Sequence, residues 1–194
     1  AGAVPAGDND MEDFGYVFEW SVLVATDLGL QTCWVGGTLR RDAFALAMNA
    51  GEDEIVPAVS PVGLARGRRR LADNLLRWAA KSKSRKAWNE LFFRDGRTLQ
   101  PEEAGSWKDV LEMVRLAPSA SNRQPWRIVQ EGDRPRFHLF LQRSPGYAKL
   151  TAVDLQRIDM GIAMCHFALT ARAAGLEGGW RALDTEPNGP EGAT

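Results

Sequence analysis

The chain has 194 residues, of which 44% are hydrophobic and 25% charged, enough for one sizeable domain and too ordinary for a disordered or fibrous chain. Lys and Arg number 24 against 25 Asp and Glu, and this net charge of -1 removes the bulk electrostatic case for binding nucleic acid or an anionic membrane. No apolar run reaches the roughly 20 residues of a bilayer span, and the opening AGAVPAGDND has neither the basic nor the apolar region of a secretory signal, so a cytoplasmic protein without membrane attachment is expected.

In chain order, apolar periodicity predicts a helix over 13–29, a short strand at 31–35, a helix from Arg40 to Met48 and a strand at 55–63. A basic amphipathic helix is expected over 68–80, with Leu71, Leu75, Leu76 and Ala79 on one face, followed by a polar KSKSRK linker. Then come a helix over 101–116, a loop from Ala117 to Pro125, strands at 126–130 and 136–142, a long helix over 153–174 and a strand at 177–183. Mixed helices and strands in this order indicate an α+β or α/β layer fold. Cys33, Cys165, His138 and His166 are too few and scattered for a disulfide framework or a metal cluster, and Cys165 and His166 read as packed residues of an apolar helix.

Displacing the chain by 146 residues lays Asp13–Trp34 on Asp159–Trp180 without a gap. Identical pairs are Asp13/Asp159, Gly15/Gly161, Leu23/Leu169, Ala25/Ala171, Gly29/Gly175, Leu30/Leu176 and Trp34/Trp180. In both copies a Gly stops the helix and the chain turns toward a Trp, which favours true duplication over chance similarity of two apolar helices. Both helices are apolar nearly all round and are expected to be buried on every side, covering one another about a pseudo-two-fold axis. Residues 1–81 would form a first half-unit and 82–194 a second, together one compact domain. On that division 77 residues precede Asp159 but only 12 precede Asp13, so about 65 residues of an equivalent beginning are expected to be missing from the first unit.

The most specific stretch is Ala117-Pro-Ser-Ala-Ser-Asn-Arg-Gln-Pro-Trp126, which closes a helix and feeds a strand. With Gly29-Leu-Gln-Thr-Cys-Trp-Val-Gly-Gly37, the segment KSKSRKAWNELFF and the helix DMGIAMCHFALTARAAGL, it resembles the FMN-dependent nitroreductase family over most of Asp13–Asp184. The pattern is most similar to single-chain nitroreductases in which two half-units stand for the family's usual homodimer, which implies a nitroreductase-like α+β fold, a mixed sheet around two buried central helices, and a monomeric pseudo-dimer or weak homodimer.

The resemblance implies FMN as cofactor, NADH or NADPH as reductant, and ping-pong transfer to a small-molecule electron acceptor such as a nitroaromatic or quinone. The flavin would lie between the first unit's Trp34, Gly36 and Gly37 and the second unit's Ser119, Ser121 and Asn122. An Asn amide matches the alternating acceptors and donors of a flavin's pyrimidine edge, and short Ser hydroxyls can bond ring or ribityl chain without blocking the stacking face. Glycines let a backbone N–H approach the flavin N5. Lys83 and Arg85 resemble the family's Lys-x-Arg phosphate clamp, and Arg123 would neutralise charge on the reduced ring. The family's Arg-rich phosphate motif at the start of the first unit has no counterpart here, and no residue is singled out as catalytic.

Each residue also has a plainer reading. P-S-A-S-N is good turn chemistry, Gly36–Gly37 an ordinary turn, Gln124, Pro125 and Trp126 structural, and Arg66, Arg68, Arg69 and Arg70 a solvated run. Three other functions stay open: a flavin-binding module without turnover, another reductive reaction on the same fold, and an RNA-binding protein using the Arg run and the tryptophans.

Overall fold

Asp10, Glu12 and Asp13 place negative charge at the positive end of the first long helix, α1 (Asp10–Asp27). The computed structural model describes residues 1–64, 84–147, 151–183 and 189–193. In it α1 ends where Gly29 takes φ 74°, and the Leu30 N–H returns to the Ala25 carbonyl at 2.9 Å. The second long helix, α5 (Leu155–Ala173), ends identically: Gly175 has φ 72°, and the Leu176 N–H reaches the Ala171 carbonyl at 2.9 Å. At its other end Asp154 caps α5 by accepting the Gln156 and Arg157 N–H groups.

The two helices pack against each other at glycine. A Cβ on Gly15 would fall under 3.0 Å from the Ile158 carbonyl oxygen, and one on Gly161 under 3.0 Å from that of Glu12. Arg157 crosses the same junction to chelate Glu12. Farther along, the buried Glu19 carboxylate takes the Trp34 indole N–H at 2.8 Å and bonds His166 Nε2 at 2.9 Å. Cys165 is buried beside it, and burial, aided by the Glu19 charge, pushes its thiol up to about 12, leaving it inert.

The surrounding strands are short. β1 (Val4–Pro5) pairs antiparallel with β3 (Glu54–Ile55), and β2 (Gln31–Thr32) with β4 (Val62–Gly63). The larger sheet runs in the order β6 (Arg97–Thr98), β5 (Phe92–Arg94), β7 (Trp126–Gln130), β8 (Phe137–Leu141); β5 and β7 are parallel and the other neighbours antiparallel. Helices α2 (Arg41–Met48), α3 (Trp88–Leu91) and α4 (Lys108–Leu116) complete the set. Trp126, Phe92, Leu91, Leu111 and Ile128 form the fully buried centre between sheet and helices.

The α+β architecture therefore holds, with four local corrections. The expected strand over 55–63 is two separate strands, because Pro57 and Pro61 have no N–H for a ladder. The expected helix over 101–116 is a 3-10 turn, Pro101–Trp107, broken by Gly105 at φ 54° and ψ -129° before α4 begins. Residues 177–183 form no strand; in the first repeat β2 is held by β4, and among the described residues nothing plays that part for the second. Beyond the KSKSRK linker, where the sequence suggests no element before residue 101, residues 92–98 form a hairpin, with Asp95 at φ 49° and Gly96 at φ 79° turning β5 into β6.

The two central helices also differ in burial. α5 is covered along most of its length, whereas α1 leaves Val17, Trp20, Val24 and Leu28 exposed, contrary to burial on every side. On α5 the cover comes from α4 and the loop that follows it. The basic helix expected over 68–80, with Arg66, Arg68, Arg69 and Arg70, and the boundary between half-units at 81–82 lie outside the described residues. Among the described residues no helix is long and apolar enough to cross a membrane, and no three His, Cys, Asp or Glu side chains are grouped to hold a metal.

Candidate functional site

Helix α4 stops because Pro118 drives Ala117 into an extended conformation, φ -52° and ψ 146°. The chain then folds back tightly over Ser119–Gln124. The Asn122 N–H reaches the Ser119 carbonyl at 3.0 Å, and the Gln124 N–H reaches Ser119 Oγ at 2.9 Å. Ser121, Asn122 and Gln124 all have positive φ, 50°, 54° and 46°. Such backbone persists only where surrounding contacts over-determine it.

Those contacts come from three directions. Beneath the loop, Asp159 on α5 accepts the Ala120 N–H at 2.9 Å. From one side, Gln124, itself buried, accepts the Lys86 N–H at 2.8 Å and donates to Asn122 Oδ1 at 3.1 Å. From the other, Ser121 Oγ and the Tyr147 hydroxyl are 3.1 Å apart, and the Arg123 guanidinium lies over the Tyr147 ring, 5.6 Å from its centre.

The Asn122 amide is engaged within the chain. Its Nδ2 donates to the Ser84 carbonyl at 2.9 Å, and its Oδ1 accepts from Arg85 at 3.2 Å. Arg85 also donates to the Leu116 carbonyl, so Asn122 and Arg85 tie the 84–86 segment to the end of α4. Lys83 lies outside the described residues.

Positive charge collects here. Burial lowers the pKa of Arg85, and Arg115 lowers it further. Burial also lowers that of Lys86, with Arg127 and Arg123 acting in the same direction and Glu90 against them. Arg127 is buried and donates to the Gln124 and Trp126 carbonyls; burial lowers its pKa too. Cations that repel one another in a half-buried setting make a favourable place for an anion.

The first-repeat glycines arrive at the same end of α5. The Cα of Gly36 packs against Leu155, the first residue of that helix, where a Cβ would lie 2.8 Å from Leu155 Cδ2. Asp159, which holds the loop, is one turn or about 6 Å farther along. Arg41 donates to the Gly36 carbonyl and to that of Pro57 at 3.3 Å. In a trans peptide C=O and N–H point opposite ways, so pinning the Gly36 carbonyl fixes the direction of the Gly37 N–H. Among the described residues that N–H has no acceptor, and nothing lies within 4 Å of a Cβ on Gly37. Neither glycine has a positive φ; Gly36 is small for packing, and Gly37 faces open space.

Trp34 is placed differently. It lies in an aromatic cluster, 4.8 Å from Phe18 and 6.4 Å from Phe14, with its N–H on Glu19, so its contacts are those of an anchor for the strand end. Sequence reasoning missed Arg41, Lys86, Arg127, Tyr147 and Asp159 as neighbours of the site. Only Asp159 carried a signal, its identity with Asp13 in the repeat.

An open groove of about 1370 Å³ lies elsewhere, lined by Asp13, Tyr16 and Trp20 of α1, by β8, by Met164 of α5 and by the tail through Leu183. None of the predicted site residues lines it.

Residues 3–171 match the family model described as "Putative TM nitroreductase". A crystal structure described as that of "a putative nitroreductase" from Thermotoga maritima matches with a TM-score of 0.62 at 23% identity, over 94% of this chain and 65% of that one. The two share a fold, and this chain spans 65% of that relative's length. No curated protein matches the chain.

Proposed function

Because the chain belongs to the nitroreductase family whose model covers residues 3–171, we propose that it is an FMN-dependent oxidoreductase using NADH or NADPH to reduce a nitroaromatic, quinone or similar small acceptor. The observation that carries this reading is the Gly37 N–H, without an acceptor among the described residues and beside open space, at the same end of α5 as the Ser119–Arg123 loop.

The residues suit the group. A flavin needs a donor near N5 that no side chain obstructs, and Gly37, oriented through Arg41, offers one. It needs a cationic place for its phosphate, and Arg85 and Lys86 supply charge, with Lys83 adjacent in sequence. Ser121 presents a hydroxyl beside Tyr147, and Arg123 offers positive charge for the reduced ring. Asn122 serves by fixing Arg85, while pairing with the pyrimidine edge would require its present bonds to exchange. When bound, FMN supplies the hydride and electron chemistry. The protein's work is to hold, orient and shield: no side-chain acid or base is required, and reductant and acceptor take the same exposed face in turn.

A cytoplasmic pseudo-dimeric monomer or weak homodimer fits this reading. Titration of FMN into the apo-protein, followed by flavin fluorescence and then NAD(P)H consumption with a nitroaromatic, tests it. Quenching and turnover are expected; absence of quenching refutes the flavin reading, and quenching without NAD(P)H consumption leaves a flavin-binding module.

A further inference from the structure

Asp159 and Asp13 occupy the same place in the repeat, one turn or less from the glycine where the two helices meet, yet their surroundings are opposite. Asp13 is exposed, whereas Asp159 is only 2% exposed. What covers Asp159 is the Ser119–Gln124 loop, whose only described hydrogen bond to α5 is the 2.9 Å one from the Ala120 N–H to Asp159 Oδ1. The second oxygen, Oδ2, is buried without a partner among the described residues. A carboxyl in that setting is a poor general stabiliser, because one of its oxygens is desolvated and unpaired.

We infer that Asp159 is a positioning residue, holding the Ser119–Gln124 loop in its turned conformation from beneath through the Ala120 N–H, and so placing Ser121 and Arg123 for the cofactor. The part concerning the cofactor rests on the flavin reading above. The part concerning the loop does not. The bond falls at the first residue of the turn, just before Ser121 and Asn122 enter the left-handed region, where a fixed N–H sets the direction of everything that follows. Tyr147 and Gln124 then hold the far side of the same turn, so the loop is fixed at both ends and loses its base if Asp159 is removed.

Three variants separate positioning from bulk packing. Asp159→Leu removes the acceptor at similar volume, Asp159→Asn keeps an acceptor oxygen, and Ala120→Pro removes the donor at the opening of the turn while leaving Asp159 intact. Amide hydrogen exchange over 117–125, with α1 and α5 as internal reference, is read alongside FMN titration. In Asp159→Leu the loop should exchange about tenfold faster with the helices unchanged, and FMN should bind about tenfold more weakly. Asp159→Asn should restore both, Ala120→Pro should reproduce the Leu variant, and combining the two should add nothing further. Unchanged loop exchange in Asp159→Leu, an Asn variant as impaired as Leu, or additive effects in the double variant would each overturn the assignment. If the wild type binds no FMN, the functional reading fails while the exchange measurements still decide the role of Asp159 in the loop.

Discussion

Gly15 and Gly161 make the same contact twice: each brings its bare Cα against the carbonyl three residues earlier on the other helix, Ile158 for Gly15 and Glu12 for Gly161. Positions 12 and 158 are themselves related by the 146-residue displacement, so the contact is reciprocal, as a two-fold interface requires. Identity at this position in the repeat is therefore a packing requirement, and the helices can approach so closely only because neither carries a Cβ.

The first prediction follows directly. Gly→Ala inside a helix ordinarily stabilises by up to about 1 kcal/mol, but here the methyl group must displace backbone. Gly15→Ala or Gly161→Ala should destabilise by about 3 kcal/mol, lowering Tm by roughly 10 °C. Gly7→Ala, where nothing lies within 4 Å, is the control and should change Tm little. An unaltered melting curve in both helix variants would refute the close crossing.

A second prediction separates folding from ligand binding at the strand end. A side chain on Gly37 meets open space and the backbone has no positive φ, so Gly37→Val should melt within about 2 °C of wild type. The same isopropyl group would stand where the cofactor approaches, so FMN affinity should fall at least tenfold. Equal FMN affinity in a normally folded variant would place the flavin elsewhere.

Much of this site was legible in the sequence because its signals are local. P-S-A-S-N-R-Q-P-W announces a turn between helix and strand, and G-L-x-x-x-W in both copies announces the helix stops that Gly29 and Gly175 make. What escaped was decided at a distance. Asn122 offers a free-looking amide in the sequence, but its partners are Ser84 and Arg85, 38 and 37 residues away. Asp13 and Asp159 sit in matching motifs, and only the arrival of a remote loop makes one buried and the other exposed. Val17, Trp20, Val24 and Leu28 read as core because α1 is apolar, whereas burial depends on what packs over them. The hairpin at Asp95–Gly96 was a missed local signal, hidden by strands of only two and three residues.

Acidity gives a third prediction. Burial pushes the Asp159 carboxyl well above its usual 3.8, the Ala120 N–H opposing and Asp154 adding a smaller upward push. The folded chain thus keeps this proton to a higher pH than the unfolded chain, and between those two pKa values the unfolded state binds fewer protons. Stability consequently falls as pH rises from about 4 to the folded pKa. Asp159→Asn removes that loss, so its Tm should exceed wild type at pH 7 and converge with it near pH 4. A Tm difference independent of pH would show that Asp159 titrates alike in both states.

The last prediction concerns the number of flavins. The 146-residue displacement that carries α1 onto α5 carries Gly36 and Gly37 onto Ala182 and Leu183. Those two residues line the open groove with Asp13, Tyr16 and Trp20, the α1 counterparts of Asp159, Ile162 and His166. The groove is thus the two-fold mate of the Gly37 site, but it carries side chains where that site has bare backbone, and no described loop rests on Asp13 as Ser119–Gln124 rests on Asp159. A flavin ring brought against this segment would meet the Leu183 side chain before reaching a backbone donor, so the arginines that line the groove, Arg136, Arg172 and Arg181, do not by themselves make a second flavin site. One FMN per chain is expected, measured by calorimetry or by flavin absorbance against protein concentration after gel filtration. Gly37→Val should then abolish that single site rather than halve the stoichiometry. Two equivalent sites per chain, or half-occupancy surviving in Gly37→Val, would show that Ala182 and Leu183 do not close the second site.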